Sequence, residues 1–271
     1  MAKECSSTTC SKESCEGCPS RQQHSFQEKM NEDSRIGRVI GIISGKGGVG
    51  KSLVTASIAN QLCEQGFKVG ILDADITGPS IPKMYGIKGP AKAGDRGIEP
   101  IAAENGIKIM SINLLLPNAD DPVIWRGPVI ANMVKQFWTD VIWGELDFLL
   151  VDMPPGTGDV PLTVFQSLPV NGVVVVTSPQ DLVKMIVKKA VKMAEMMKIP
   201  VLGIVENYSY AICPDCGKAF PIFGESKVDQ VASAYELPVL GKVPVHPEYA
   251  KAADEGKFHT VSNQHIQSIL G

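Results

Sequence analysis

The feature that most constrains the fold is the stretch GKGGVGKS at residues 45–52. It matches the pattern G-x-x-x-x-G-K-[ST], follows the apolar run RVIGIIS and opens a segment with helical spacing. Glycines let backbone N–H groups turn inward around phosphate oxygens, and the helix N-terminus adds its positive dipole end. We therefore predict a phosphate-binding loop (P-loop) between a strand and a helix. Its expected members are Gly45, Lys46, Gly47, Gly48, Val49, Gly50, Lys51 and Ser52.

Three side chains of this loop can act on a nucleotide. Lys51 should reach the β- and γ-phosphates, and Ser52 should ligate Mg²⁺. Lys46 is a second lysine inside the loop. Taken alone, it is either a solvated loop charge or a further phosphate-binding cation, and the residues leave both interpretations open.

Apolar runs rich in valine and isoleucine alternate with helical segments from Arg38 onward. These runs are RVIGIIS, KVGILD, IKIMSI, DFLLVD, GVVVVTS, VLGIVE and PVLGKVP. Continuous apolar runs are typical of parallel strands that are buried on both faces. We predict helices over residues 51–65, 129–143, 181–198, 226–235 and 248–255. The alternation indicates an α/β fold, a doubly wound, mostly parallel sheet with helices on both faces, as in P-loop NTPases.

Carboxylates follow two of the predicted strands. Asp73 and Asp75 end the run KVGILD and its continuation, and their spacing of two places them on the same side. Asp152 ends DFLLVD and leads into MPPGTGD. Parallel sheets bind ligands at the carboxyl ends of their strands, so these side chains should meet the phosphates there. One carboxylate can orient the attacking water while another supports the Mg²⁺ shell.

Composition argues against several classes of partner. The 26 basic and 29 acidic side chains give a net charge of −3, so no overall field attracts nucleic acid or anionic lipid. The first 25 residues contain no apolar stretch of signal-peptide length, and no apolar run is long enough to span a bilayer. We therefore expect a cytoplasmic protein with neither a nucleic-acid nor a membrane partner. In a reducing compartment, its cysteines should be metal ligands or free thiols.

Two of the cysteines have the spacing of a metal site. Cys213 and Cys216 stand in AICPDCGKAF, and this CxxC pair supplies only half of a tetrahedral set. By spacing alone, Zn²⁺ is favoured over an iron–sulfur cluster. A cluster usually needs four thiolates, which a second copy of the chain could complete. The pair Cys15 and Cys18 of the same chain could also complete it.

The N-terminal segment, residues 1–35, has few residues able to form a core. We predict a flexible cysteine-bearing arm there and a single P-loop ATPase domain over residues 36–271. The cysteines of the arm are Cys5, Cys10, Cys15 and Cys18. They are candidates for a separate metal or cluster site, for transient ligands that load or pass on a cluster, or for residues without a metal role.

The motifs KGGVGKS, DADITGPSIP, DMPPGTGD and VENYSYAICPDCG, in this order and spacing, closely resemble the Mrp/ApbC-type iron–sulfur cluster carrier ATPases. These are P-loop ATPases of the deviant Walker A class, which also contains MinD and ParA. The resemblance implies that Lys46 reaches across a homodimer to the nucleotide of the partner. It further implies that Asp75 positions water, that Asp152 supports Mg²⁺ and that Asn207 reads adenine.

The same resemblance implies a function. Cys213 and Cys216 would hold a labile [4Fe–4S] cluster between two subunits, and slow hydrolysis of ATP would accompany its transfer from a cluster donor to apo-proteins. Two alternatives share the nucleotide motifs. One is a positioning ATPase of the MinD/ParA kind, and the other is an ATPase in which the CxxC pair binds structural Zn²⁺.

Overall fold

In this computed structural model, the described residues are 28–75, 78, 80–116, 127–156, 158–180, 183–262, 264–267 and 269. The predicted boundary at residue 36 lies one residue inside the first strand, which begins at Arg35. The four cysteines of the predicted arm lie outside the described residues. The described helices include none that is both long and apolar enough to cross a membrane.

An eight-stranded sheet with the order β12-β9-β8-β1-β7-β2-β6-β5 forms the centre of the fold. All of its neighbouring strands are parallel except β5, which pairs antiparallel with β6 at one edge. The prediction of a mostly parallel sheet is therefore confirmed. The strands of this sheet are β1 (Arg35–Ser44), β2 (Val69–Asp73), β5 (Ile101–Ala102), β6 (Lys108–Ser111), β7 (Glu145–Asp152), β8 (Gly172–Thr177), β9 (Val201–Glu206) and β12 (Val239–Lys242).

Two small hairpins lie outside this sheet. One pairs β3 (Lys92–Gly94) with β4 (Gly97–Glu99), and the other pairs β10 (Ala211–Ile212) with β11 (Ala219–Phe220). The second hairpin carries the CxxC pair in its connection.

Helices cover both faces of the sheet. They are α1 (Lys51–Glu64), α2 (Ile81–Met84), α3 (Gly127–Thr139), α4 (Asp159–Ser167), α5 (Val183–Met196), α6 (Val228–Ala234) and α7 (Pro247–Asp254). Side chains of α3, α4, α5 and α6 join one apolar cluster, and those of α1, α2 and α7 join another. In β1, Val39 and Ile43 belong to the first cluster while Ile40 and Ile42 belong to the second. This alternation explains why the strand is apolar at consecutive positions, because both of its faces are buried.

One helix prediction needs correction, and the helices α2 and α4 are additions to the predicted set. The helix predicted over 129–143 ends at Thr139, because the backbone of residues 140–142 bonds to Ile98 on both sides: Ile98 N–H donates to Asp140 and Ile142 N–H donates to Ile98. Helix α4 was not predicted from the sequence. Pro161 stands at its third position, where the first helical turn needs no N–H donor and proline is tolerated.

Candidate nucleotide site and cysteine hairpin

The P-loop connects β1, a central strand of the sheet, to the start of α1. Gly48 and Gly50 adopt left-handed backbone conformations with φ of 77° and 73°. A Cβ atom at Gly50 would lie 2.1 Å from the side-chain nitrogen of Asn207, so the position excludes any larger residue. A Cβ atom at Gly48 would meet no atom within 4 Å. The loop is thus closed beneath by Asn207 and open above, a shape that suits an incoming phosphate.

Lys51 is the central cation of the site. Its side chain is 6% exposed, and its Nζ atom donates to Asp152 Oδ1 at 2.7 Å and lies 3.9 Å from Asp75 Oδ2. A lysine held this way is desolvated and positioned for a strong interaction with phosphate. The structure therefore brings the predicted Lys51, Asp75 and Asp152 together.

Asp152 is fully buried and accepts hydrogen bonds from three side chains. Besides Lys51, Ser52 Oγ donates to Oδ2 at 2.6 Å, and Thr55 Oγ1 donates to Oδ1 at 2.8 Å. Sequence reasoning missed Thr55, although its position one helical turn after Lys51 places it on the same face of α1. These donors hold the carboxylate beside Ser52, the residue predicted to ligate Mg²⁺.

Asp73 lies beside Asp152 in the parallel register of β2 and β7. It accepts hydrogen bonds from the Asp75 N–H at 3.2 Å and from Ser111 Oγ at 3.3 Å. Burial, followed by repulsion from Asp152, raises the pKa of Asp73 well above its usual range, and Lys51 partly offsets the shift. Asp75, by contrast, lines the cavity above the loop. This placement favours Asp75 over Asp73 as the group that meets water.

This cavity has a volume of about 450 Å³ and is bounded by the P-loop, α2, Pro155 and α7. Tyr208 and Tyr249 contribute aromatic surface, and Lys83 adds a third cation to Lys46 and Lys51. Ser52 and Asp75 supply oxygen atoms, the ligand type that Mg²⁺ prefers. Within the described ranges, no cluster of three or more acidic, histidine or cysteine side chains could hold a metal alone.

Lys46 is half-buried, and its ammonium group donates to Gln180 Oε1 just beyond the end of β8. Sequence reasoning did not identify Gln180. The contact lies within one chain, so the predicted reach of Lys46 to a partner's nucleotide would require this hydrogen bond to break.

Asn207 follows β9 and is 1% exposed. Its Nδ2 atom donates to the carbonyl of Val49 at 3.0 Å, and its Oδ1 atom is buried without a hydrogen-bond partner in the part of the chain that the structure describes. Asn207 therefore supports the P-loop from below. Its role in reading adenine stays a prediction.

The CxxC pair occupies the turn between β10 and β11. Cys216 is exposed and Cys213 is partly exposed. Hydrogen bonds from the backbone N–H groups of Cys216 and then Asp215, joined by the Cys216 thiol, lower the pKa of the Cys213 thiol. Thiolates are the form that binds metals. The described residues place no third candidate ligand beside this pair.

Exposed apolar side chains flank the two cysteines along the chain. Ile212 precedes Cys213 and is 48% exposed, while Phe220, Ile222 and Phe223 follow Cys216 with 46%, 44% and 45% of their surface exposed. Grouped exposure of large apolar side chains marks sites of contact with another molecule. The hairpin region therefore combines two free thiols with apolar side chains that are available for contact with another molecule.

Comparisons with known proteins agree with this geometry. Residues 35–270 match the sequence profile of a ParA family described as NUBPL iron-transfer P-loop NTPase. A protein of Methanocaldococcus jannaschii named iron-sulfur cluster carrier protein is 45% identical over 256 residues, which are 89% of this chain and 87% of that protein. A solved nucleotide-binding protein from Archaeoglobus fulgidus, in complex with ADP, is 47% identical with a TM-score of 0.75, covering 83% of this chain and 88% of its own.

MinD of Aquifex aeolicus shares the fold at 19% identity, with a TM-score of 0.57 and coverage of 85% of this chain and 92% of its own. The resemblance noted from the motifs is thus confirmed, and so is the fold class. Because the profile spans nearly all of the sheet and its helices, the chain belongs to the NUBPL iron-transfer P-loop NTPase family.

Proposed function

We propose that this protein is an ATP-binding and ATP-hydrolysing carrier that holds a labile [4Fe–4S] cluster and passes it from a cluster donor to apo-proteins. The observation that carries the proposal is the meeting of two sites in one domain: a phosphate-binding cavity and an exposed pair of metal-competent thiols. The names of the relatives at 45–47% identity, a cluster carrier and a nucleotide-binding protein, support the two halves separately.

The residues of the cavity have distinct roles in the proposed hydrolysis. Lys51 exchanges part of its contact with Asp152 for phosphate oxygens, and the N–H groups of the glycine-rich loop bind the remaining oxygens. Asp75 orients water toward the γ-phosphorus, where a new P–O bond forms as the bond to the β-phosphate oxygen breaks, leaving ADP and phosphate. When bound, Mg²⁺ neutralises charge on the phosphates, and Ser52 with Asp152 would support it.

We expect this hydrolysis to be slow. The cations of the described part of the cavity wall are Lys46, Lys51 and Lys83, without an arginine. Arginine supplied to the transition state is a major source of rate in related phosphoryl transfers. Lys46 of a partner subunit would supply a positive charge in place of this arginine, with a weaker effect, once its hydrogen bond to Gln180 breaks.

The cluster is cargo in this proposal. Its four irons need thiolates, and Cys213 with Cys216 offer two. A two-fold homodimer brings a second identical pair, and the apolar rim of the hairpin supports contact between two such surfaces. The pair Cys15 and Cys18 remains the alternative source of ligands. We propose a cytoplasmic location, since the cargo requires reduced thiols.

The proposal is tested by reconstituting the full chain anaerobically with ferrous iron and sulfide, then counting iron, sulfide and subunits by native mass spectrometry. We expect about four irons and four sulfides per pair of subunits. Cys213→Ala and Cys216→Ala should each lose the cluster. Cys63→Ala is the matched control, because Cys63 lies on α1 and should leave the count unchanged.

Three results would redirect the proposal. Unchanged iron in Cys213→Ala would show that the hairpin does not bind the cluster. Stoichiometric Zn²⁺ that iron cannot replace would indicate a structural zinc site. Loss of the cluster in a Cys15→Ser/Cys18→Ser variant would assign the remaining ligands to the N-terminal pair instead of a second subunit.

A further inference from the structure

The fully buried carboxylate of Glu206 ends strand β9, one residue before Asn207, which supports the P-loop. Glu206 is 0% exposed, and each of its side-chain oxygens accepts a serine hydroxyl: Ser209 donates to Oε2 at 2.6 Å and Ser226 donates to Oε1 at 2.9 Å. In the described part of the chain, Glu206 forms no ion pair with a cation. Breaking either of these hydrogen bonds is costly, because it leaves a buried carboxylate oxygen without a partner and without water.

The two serines flank the segment that carries the cysteines. Ser209 precedes β10, and Ser226 follows the loop after β11, so residues 209–226 form a closed segment with both ends held by Glu206. The Ser209 N–H also donates to Val243 at 2.9 Å, and Ser226 Oγ accepts the Val228 N–H at the start of α6. The segment is therefore attached at its ends, while its tip, with the thiols, is exposed.

A residue between Glu206 and the start of this segment contacts the P-loop. Asn207 donates to the Val49 carbonyl, and its own N–H donates to Thr177 at 2.8 Å. Tyr208 follows with φ of 59°, a left-handed conformation that is unusual outside glycine. This conformation sets the direction in which the chain leaves Asn207. Because a peptide bond joins Asn207 to Glu206, a displacement of the P-loop that moves Asn207 is passed to the backbone of the residue whose carboxylate holds both ends of the cysteine segment.

We propose that Glu206 is a positioning residue that couples the nucleotide site to the cysteine hairpin by holding Ser209 and Ser226 together. The inference rests on the proposed function and names the connection between its two sites. Coupling of this kind is a free energy shared by two ligands, so it is recognised by the effect of one site on the other.

The first test measures amide hydrogen exchange over residues 209–226 in cluster-free protein, with and without Mg–ATP. In the wild-type protein, nucleotide should change exchange in this segment as well as in the P-loop. Glu206→Ala and the milder Ser226→Ala should raise basal exchange by about tenfold, the scale of one hydrogen bond to a charged group. They should also abolish the nucleotide effect in 209–226 while keeping it in the P-loop.

Controls separate coupling from simple loosening. Asp229 on the neighbouring α6 forms an exposed ion pair with Lys242 of β12, and Asp229→Ala, which removes this pair, should retain the wild-type response. Glu206→Gln keeps the shape and can pair with both serines, so it should restore most of the nucleotide effect. In addition, Glu206→Ala and Glu206→Ala/Ser226→Ala should behave alike, because both break the same link.

The inference is overturned if Glu206→Ala loosens the segment but leaves the nucleotide-induced difference intact, since the residue would then be merely structural. It is also overturned if nucleotide has no effect on 209–226 in the wild-type protein. A failure to bind iron would refute the proposed carrier function, yet the exchange experiment on cluster-free protein would still decide the role of Glu206.

A second test applies when the cluster is loaded. A ferrous-iron chelator should remove iron from the wild-type protein at rates that differ about fivefold or more with and without Mg–ATP, the lower range of allosteric coupling. The ratio should fall to within about twofold of unity in Ser226→Ala. An unchanged ratio in that variant would contradict the proposal.

Discussion

At the scale of single residues, the surroundings of two cysteines shift the pKa of their thiols in opposite directions. Cys213 sits in the hairpin turn, where the N–H groups of Cys216 and Asp215 lower its pKa. Cys63 is partly buried on α1 and donates its thiol to the Asn105 carbonyl at 3.2 Å. Burial, followed by repulsion from Glu64, raises the pKa of Cys63. The first thiol is suited to binding metal and the second to packing.

This contrast predicts the order of alkylation by iodoacetamide in cluster-free protein. A lowered pKa keeps more thiolate as the pH falls and a raised pKa keeps less, so Cys213 should react faster than Cys63, and the difference should widen as the pH is lowered. Peptide mapping by mass spectrometry follows each site. In urea, where the folded environment is lost, the two cysteines should react at similar rates. Equal rates in the folded protein would contradict the assigned environments.

At the scale of elements, α1 joins the nucleotide site to the C-terminal part of the chain. Its first residues belong to the P-loop, while Asn60 near its other end donates to the carbonyls of Phe258 and Val261 at 2.7 and 2.9 Å. Tyr85, just after α2, donates to Asn60 Oδ1 at 2.8 Å. The buried amide thus joins three parts of the chain, and such networks are costly when only one member is removed.

Asn60→Ala should lower the free energy of unfolding by about 1–3 kcal/mol, because it leaves buried polar groups unsatisfied. Urea denaturation followed by circular dichroism provides the measurement. The neighbouring Gln61→Ala removes a single bond, to the Ile266 carbonyl at 2.8 Å, and should cost less. A stability for Asn60→Ala equal to that of the wild-type protein would show that water replaces the amide without cost.

At the scale of the whole molecule, the described residues supply only part of each proposed site. The cysteine hairpin supplies two thiolates, and the Lys46 ammonium is bound to Gln180 of its own chain. Both features are consistent with assembly of two subunits face to face. The proposed homodimer would complete the cluster site and place each Lys46 at the partner's nucleotide.

Lys46→Ala should therefore reduce the rate of ATP hydrolysis on the order of 100-fold, the usual effect of removing one transition-state donor. It should also abolish the ATP-dependent dimer in light-scattering measurements of molar mass. Lys251→Ala on α7 is the control, since Lys251 is 74% exposed and makes only a long contact with Glu255. Wild-type hydrolysis in Lys46→Ala would leave Lys46 as the solvated loop charge that the sequence also allowed.

Much of this architecture follows from local patterns. The apolar runs predicted the strands because burial on both faces demands continuous apolar sequence, and the glycine pattern predicted the P-loop because its φ values exclude other residues. The sequence-based predictions were wrong or incomplete where contacts with distant parts of the chain decide the local structure. Residues 140–142 bond to Ile98 and do not continue the predicted helix, and only the fold shows that Asp73 is buried beside Asp152 while Asp75 lines the cavity.

By itself, the sequence determined the parallel α/β architecture, the phosphate-binding loop and the identity of the CxxC pair, because each depends on residue types at short spacing. Only the tertiary structure decided which side chains meet across long separations. Gln180 lies 134 residues from Lys46, and Thr55 lies 97 residues from Asp152. The link from Glu206 to Ser226, 20 residues away, likewise emerged only in three dimensions, because hydrogen-bond partners are selected by folded geometry and leave no periodic pattern along the chain.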